Sequence, residues 1–445
     1  MKDTPESSAP AFVRLKLSAE TVVAESRLDA LEHEWRLLEQ GAKGAIFFQS
    51  FDWCRFIWRT RNAQREVVCA EPRVIVVRDG DGVVAIWPLA IVRGNGGRFA
   101  QDLSEPFGQY SDILLAARTD IDTVMQLALT EIARWRVDGL VLRKVRTDAG
   151  LAAWMKARAS PFGVGEMAPA VELSAFAGFD DYRRSINAKT RKNLRNYRNR
   201  LAREGVIKHA VIDAQPERAA VIERCFLERS DWLETSGRSS SAFADPLFPA
   251  VVTGLARAEA GAPAVMAMRL GLEQPDGTDA DLSVHWGFIH QGRYYAFMAA
   301  KNPEFDDCSP GRLHLEDVIA ACSERGVGTV DMLLPAMPYK LTWATTSVGV
   351  NGYGLALTTR GRLVIRGWHG LLRPALKSAL VALPPVVRKH AMLLLQLVFA
   401  KPGASAGKPP VSGFSEQVPR PPAGDGMVLA RQKARRTGSK LYEAR

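Results

Sequence analysis

Three stretches of this 445-residue chain carry side chains whose types and spacing suit chemistry. The first is basic. On a helical wheel Arg184, Arg191, Arg195 and Arg198 share a stripe about 60° wide, beside an apolar face of Ile186, Leu194, Tyr197 and Leu201. Adjacent arginines repel one another and an anion relieves the repulsion; phosphate is the natural choice, because a guanidinium binds it in bidentate fashion. A solvated face holding salt bridges to acidic neighbours has the same pattern. The second stretch is Ser309-Pro310-Gly311-Arg312, at the head of a helix pattern. Ser309 suits the N-cap, Pro310 suits the first helical position, and Gly311 leaves backbone amides uncovered. With Arg312 this is a candidate anion site, or simply a capped helix. The third is Asp331 in a strand pattern, followed by Tyr339-Lys340 and Trp343. Such a cluster can hold or deprotonate an amine, or protonate a leaving thiolate; a structural Asp–Lys pair with Tyr339 as packing fits the spacing equally. Cys308, beside a helix start, is expected to have a lowered thiol pKa, yet no histidine is placed to serve as its base. His285, His290 and His314 lack the spacing of a metal site, so no metal is expected.

The elements that must position these residues can be read from periodicity and turn signals. A helix pattern covers about Ala19 to Leu38, and a Trp/Phe-rich helix covers Phe51–Arg61. Strands at Val74–Arg78 and Val83–Val92 flank Asp79-Gly80-Asp81-Gly82, a hairpin signal. A short strand at Asp112–Leu115, a helix at Ile121–Arg136 and a strand at Gly139–Lys144 complete the first half. The second half opens near Phe176 with one long helix, Phe179–Glu204, that carries the basic stripe. Strand Val206–Ile212 and helices at Pro216–Glu234 and Asp245–Glu259 follow. Three strands, Ala264–Leu272, Leu282–His290 and Arg293–Ala300, suit antiparallel neighbours, the last two joined by Gln291-Gly292. Helix Pro310–Arg325 and strands at Thr329–Leu333, Val350–Thr358 and Leu363–Arg366 end this half. The order repeats that of the first half without a residue-level repeat. The class is α/β, with domains at 18–175 and 176–368, short amphipathic helices over 369–400 broken at Pro384-Pro385, and a disordered basic tail over 401–445.

Composition bounds the rest. The chain is 47% hydrophobic and 24% charged, which excludes a mostly disordered protein, a collagen-like repeat and a disulfide scaffold. The net charge of +11 is local: residues 180–204 and 401–445 each hold nine Lys/Arg against three Asp/Glu, leaving 41 basic and 42 acidic residues elsewhere. The five cysteines form no CxxC pair, which suits a reducing compartment. No signal peptide is visible at the N-terminus and no apolar run reaches the roughly 18 residues of a membrane span, so a cytoplasmic location is expected. The segment Leu371–Phe399 and the basic tail suit either a solubilising extension or contact with an acidic membrane surface.

Taken in order, these features resemble the GNAT-like acetyltransferase domain of the CelD/BcsL family, associated with cellulose and exopolysaccharide biosynthesis. The resemblance is carried by Thr190-Arg191-Lys192-Asn193-Leu194-Arg195 with Arg198 and Arg200, by Trp232 and Arg238 followed by Phe243, by Ser309-Pro310-Gly311, and by Asp331 with Tyr339-Lys340 ahead of Trp343. In the first half, Phe48-Gln49-Ser50-Phe51-Asp52-Trp53 and Gln109-Tyr110-Ser111-Asp112-Ile113-Leu114 resemble family motifs. The match covers about residues 30–365.

The resemblance implies two GNAT-like folds in tandem, arranged as in Fem-type peptidyltransferases. It implies acyl transfer from acetyl-CoA or another acyl-CoA to an amine or hydroxyl acceptor. Asp331, Tyr339 and Lys340 would be catalytic; Ser309, Gly311 and Arg312 would hold the cofactor; Arg191, Arg195, Arg198, Trp232 and Arg238 would face substrate. The thioester would lie in the splay between the Ala296-bearing strand and the Asp331 strand, where backbone amides polarise its carbonyl. Two departures stand out: Leu334-Pro335-Ala336-Met337-Pro338 replaces a glycine-containing loop, and the usual pyrophosphate loop (Arg/Gln-x-x-Gly-x-Gly/Ala) is missing. Polysaccharide-synthesis proteins are the implied partners, and no nucleic-acid motif is present. Two rivals share the fold: a Fem-like transferase drawing on aminoacyl-tRNA, and a non-catalytic partner of a polysaccharide synthase.

Overall fold

The structure, a computed structural model, describes residues 17–372 apart from 43, 65–69, 95 and 260, together with 375, 376 and 379. The first element among the described residues is β1 (Leu17–Val22), where the helix expected over 19–38 would start. Backbone pairing of β1 with the sheet outweighs the helical periodicity, and the helix is displaced into two short pieces, α1 (Glu25–Ala30) and α2 (Glu32–Gly41). Helix α3 (Phe51–Ala63) starts at Ser50, whose hydroxyl accepts the Trp53 amide. Strands β2 (Ala70–Asp79) and β3 (Gly82–Gly94) form the expected hairpin. Then come β4 (Gly97–Asp102), β5 (Leu114–Leu115), α4 (Ile121–Arg134), β6 (Gly139–Arg146), α5 (Ala152–Arg158) and β7 (Ser160–Glu172). Neither β4 nor β7 was expected from the sequence.

The second half opens with two helices where one was expected. Helix α6 (Phe179–Ser185) stops, Ile186 turns extended, and α7 (Ala188–Leu201) restarts with the Asn187 side chain capping the Lys189 amide. The order continues with β8 (Val206–Ile212), α8 (Glu217–Thr235), α9 (Phe248–Ala256), β9 (Met266–Glu273), β10 (Asp279–His290) and β11 (Arg293–Lys301). Gln291 and Gly292 both have positive φ, 47° and 71°, as a tight hairpin turn requires. A 3₁₀ turn (Pro303–Cys308), α10 (Pro310–Glu324), β12 (Thr329–Asp331), α11 (Pro338–Trp343) and β13 (Thr346–Ala356) follow. The strand expected at Leu363–Arg366 is helical instead. Helix α12 (Thr359–Arg362), capped by Thr358, runs into a π-helical stretch, Leu363–Leu372, that packs Ile365 on Phe99 and Val141. The helix expected over 386–399 and the tail over 401–445 lie outside the described residues. Among the described residues, no helix is long and apolar enough to cross a membrane.

One mixed sheet runs through the described residues in the order β1-β2-β3-β4-β6-β13-β7-β12-β11-β10-β9-β8, with β5 paired to β3. Each half contributes an antiparallel run that ends in a parallel pair, β4 with β6 and β11 with β12. The strand that follows each parallel pair crosses over. Strand β7, from the first half, pairs with β12; strand β13, from the second, pairs with β6; and β7 and β13 pair with each other. Neither half's sheet is completed by its own chain. In the second half, His285 of β10 meets His314 of α10, while the next residue, Trp286, lies near Cys225 of α8. Side chains alternate across a strand, so α10 and α8 cover opposite faces.

Candidate active site

The site is built where β11 and β12 part. They pair in parallel from Arg293↔Thr329 to Tyr295↔Asp331; β12 then ends while β11 runs on to Lys301. On the opposite edge, β11 carries one extra residue against β10. The register passes from Phe288↔Tyr295 to Trp286↔Met298, so Ala296 and Phe297 have no partner residue on either neighbouring strand. Gly287 permits this bulge, since a Cβ there would lie 2.1 Å from the Tyr295 carbonyl oxygen. The wall behind Phe297 comes from the first half: Phe48 and Trp53 place their rings 6.5 and 6.2 Å from it, and Trp286 lies at 4.9 Å. The Phe48–Trp53 motif is legible in the sequence, but its place in this wall depends on the tertiary fold.

At one end of the gap stands the α10 helix start. Gly311 lies over Lys301 of β11, since a Cβ on it would be 3.8 Å from that side chain. Ser309 does not cap with its side chain as expected; it adopts a left-handed conformation (φ 47°, ψ 54°), and its carbonyl accepts the Arg312 and Leu313 amides. The expected lowering of the Cys308 pKa is also reversed. Burial and the neighbouring Asp307 push the thiol up, outweighing the helix start. The preceding turn is acidic, with Asp306 bound by Lys301 and Asp307 by Arg200.

Asp331, Tyr339 and Lys340 do not form one cluster. Asp331 is 1% exposed; it accepts the Tyr110 hydroxyl at 2.8 Å, the Leu333 amide at 2.9 Å and Arg146 at 3.0 Å, with Arg293 at 3.5 Å. Tyr110 and Arg146 belong to the first half, so this carboxylate ties the halves together and has no open side for a substrate proton. Lys340 donates to the Met332 carbonyl at 2.7 Å and the Leu333 carbonyl at 3.2 Å, at the end of β12. Burial and the nearby Arg229 bring its pKa down to about 8, against the pull of Asp331. Tyr339 is half-buried, and burial raises its phenol pKa despite Arg229.

The basic stripe also divides. Arg198 binds Glu316 and Asp317 of α10, and Arg183 joins Glu316 at 2.8 Å, so these arginines brace α6 and α7 against α10. Arg184 pairs with Asp181. Arg191 and Arg195 form no ion pair with the described residues and are half-buried and exposed, respectively. Trp232 and Arg238 are brought together, with the Arg238 guanidinium 5.1 Å from the indole centroid. A second guanidinium, from Arg229, lies 4.2 Å from the same ring. The sequence reading missed Arg229, although its spacing of three residues from Trp232 on a helix marks a shared face. Phe243 sits apart, stacked on Phe226 between α8 and α9. His285 and His314 are buried, bonded to Tyr294 and Ser283, and burial keeps both neutral, His285 down to about 3. Among the described residues no three His, Cys, Asp or Glu side chains converge to hold a metal.

Residues 188–341 match the family described as acetyltransferase (GNAT) domain. The second half is a GNAT-type acyltransferase domain. Among solved structures, the fold is similar to FemX, with a TM-score of 0.53 and 12% identity over 78% of this chain and 99% of that one. A tandem GNAT protein from the clavulanic acid biosynthesis pathway aligns with a TM-score of 0.41 and 16% identity, over 76% and 98% of the two chains. L-PGS from Bacillus licheniformis aligns at 0.44 and 12%, over 77% and 96%. No curated protein sequence matches the chain significantly.

The first half has the same GNAT-like arrangement with its gap filled. Strands β4 and β6 pair only to Gln101↔Val141, and residues 103–111 occupy the space beyond. Leu103 donates to the Pro88 carbonyl, Ser111 donates to the Lys144 carbonyl, and the Lys144 ammonium bonds the Pro106 and Gly108 carbonyls. Arg61, buried, donates to the carbonyls of Leu103 and Glu105, and Phe107 stacks on Phe248 of α9. Burial brings the Asp102 carboxyl up to about 7, although Ser104 donates to it twice.

Proposed function

We propose that the second half transfers an acyl group from acyl-CoA to an amine or hydroxyl acceptor. The observation that carries this reading is the open gap beyond the β11–β12 pair, with Ala296 and Phe297 out of register beside the α10 helix start. A thioester carbonyl laid along the bulge would be polarised by backbone amides, and the donor's phosphates would meet the Gly311 amide and Arg312. The acceptor attacks the carbonyl carbon, the carbon–sulfur bond breaks, the thiolate leaves as a thiol, and the proton the acceptor sheds passes to solvent, from which the thiolate's proton donor is refilled. Tyr339, whose phenol stays protonated, is the donor for that thiolate. Lys340 positions the end of β12 through its two carbonyl contacts. Asp331, already saturated, takes no part in proton transfer.

The link to cellulose or exopolysaccharide synthesis, and with it a cytoplasmic setting beside polysaccharide-synthesis proteins, rests on the motif resemblance alone. A second reading keeps the fold and replaces the donor with aminoacyl-tRNA. It is favoured by the FemX-like fold and by the unpaired Arg191 and Arg195 on α7. A third, a non-catalytic partner of a polysaccharide synthase, is favoured by the absent pyrophosphate motif. Calorimetry of the full chain with acetyl-CoA, CoA and bulk tRNA at two salt concentrations separates them. Acetyl-CoA is expected to bind with a Kd on the order of micromolar and to lose binding in Gly311→Trp. Tight, steeply salt-dependent tRNA binding without a CoA signal selects the second reading. Silence with all three ligands removes both transferase readings.

A further inference from the structure

We propose that the acceptor carries an anionic group, a carboxylate or a phosphate, seated against Arg229, Arg238 and Lys340. This rests on the acyltransferase reading of the same gap and narrows its substrate class. Two guanidiniums converge on one indole, at 4.2 and 5.1 Å from the Trp232 centroid. Several other arginines of this half are matched with carboxylates: Arg183 and Arg198 with Glu316, Arg224 with Glu228, Arg269 with Asp279. Arg229 and Arg238 have no such partner among the described residues. The neighbours that act on Arg229 are Tyr339, Cys225 and Arg238, none of them a carboxylate, and its pKa is lowered by burial and by Arg238. Lys340 is in turn depressed by burial and by Arg229. The carboxylate felt by Lys340 is Asp331, which is already engaged by Arg146 and Tyr110.

Arg229 and Arg238, with no carboxylate partner among the described residues, and Lys340, whose one carboxylate neighbour is already engaged, repel one another, and a bound anion reduces that repulsion. Guanidinium planes suit carboxylate and phosphate oxygens in bidentate contact. Position assigns the anion to the acceptor. Arg229 and Trp232 lie on α8, on the face of the sheet opposite α10. Gly311 and Arg312, where the donor phosphates would rest, lie on the α10 face. Lys340 sits at the end of β12, where the gap opens. A neutral sugar acceptor would leave the three cations unmatched.

The test titrates the full chain by calorimetry with inorganic phosphate, succinate and the neutral control glycerol, with and without CoA. Phosphate or succinate is expected to bind a single site and to weaken about tenfold in Arg238→Gln and in Arg229→Gln, while CoA affinity stays within about twofold. Phosphate alone identifies a phosphorylated acceptor, and succinate alone a carboxylate. Arg238 is exposed, so its replacement leaves the core intact, and retained CoA binding reports folding. The inference is overturned if neither anion binds, if glycerol binds as well, or if the anions bind equally to both variants. It is also overturned if anion binding is lost only in Gly311→Trp. Anion binding that behaves as expected in a chain deaf to CoA supports the anion site and removes the acyl-CoA reading.

Discussion

Lys144 and Lys340 each donate to two backbone carbonyls beside the end of a parallel strand pair, one in each half. The carbonyls they take differ in kind. Those held by Lys144 belong to the 103–111 segment, which it pins into the first gap. Those held by Lys340, on Met332 and Leu333, belong to β12's own continuation. Residues 103–111 thus fill the space beyond the first pair, whereas beyond the second Ala296 and Phe297 have no partner residue on either neighbouring strand. In the first half, Lys144, Arg61 and Ser104 find partners within or beside the segment, although one Asp102 oxygen stays unpartnered; in the second half, the Arg229, Arg238, Tyr339 and Arg312 side chains have no hydrogen-bond or carboxylate partner among the described residues. Function on a duplicated fold lies in what occupies the gap, not in the sheet that makes it.

The largest expected effect comes from emptying the filled gap. Phe107 is fully buried, and Phe107→Ala is expected to destabilise the chain by about 3–5 kcal/mol in denaturant unfolding. Acetyl-CoA stoichiometry should stay at one per chain; two sites would show that the first gap is a latent active site and break the asymmetry. A smaller effect is expected at the joint between the halves. Asp331→Ala strands the Tyr110 hydroxyl and the Leu333 amide and leaves Arg146 with Asp148 alone, at a cost of about 3 kcal/mol. Separate unfolding transitions for the two halves in the wild-type chain would contradict the shared sheet.

The smallest effect is in pH dependence, and it has opposite signs in the two gaps. Asp102 has its pKa raised by burial to about 7, so the folded chain binds the extra proton between the unfolded value and 7. Stability then falls as pH rises across that window, and Asp102→Asn should flatten the fall, by about 1–3 kcal/mol. Lys340 is depressed to about 8, so above pH 8 the unfolded chain holds more protons. Stability then rises toward the ordinary lysine pKa, and Lys340→Met should abolish that rise. Urea midpoints between pH 4 and 10 measure both; matching slopes in the two windows would remove the contrast.

Local rules made much of this legible. Alternation and turn residues located the β2–β3 and β10–β11 hairpins, and Pro310-Gly311 located the start of α10. The failures have local causes as well. The 19–22 segment carries a helical period, but its backbone pairs with β2, and pairing between distant segments leaves little trace in periodicity. Asn187 is a good N-cap, but its signal is hidden inside a continuous basic run. Of the candidate site residues, Trp232 meets Arg238, Gly311 lies over Lys301 of β11, and Lys340 holds the carbonyls that follow β12. Asp331 and Arg198 are taken by structural partners that sequence spacing cannot show, because those partners lie 185 and 118 residues away in Arg146 and Glu316.

By itself the sequence determined the class of the fold, the order of most elements and the residue types available for anion binding, because propensity, periodicity and capping act over a few neighbours. Only the tertiary structure decided that β7 and β13 trade places, that residues 103–111 fill the space beyond β4 and β6, and that Arg229 and Arg238 meet on Trp232 with no carboxylate partner among the described residues. Those outcomes depend on which distant groups satisfy one another's hydrogen bonds and charges, and that is settled by burial and proximity after the chain has folded.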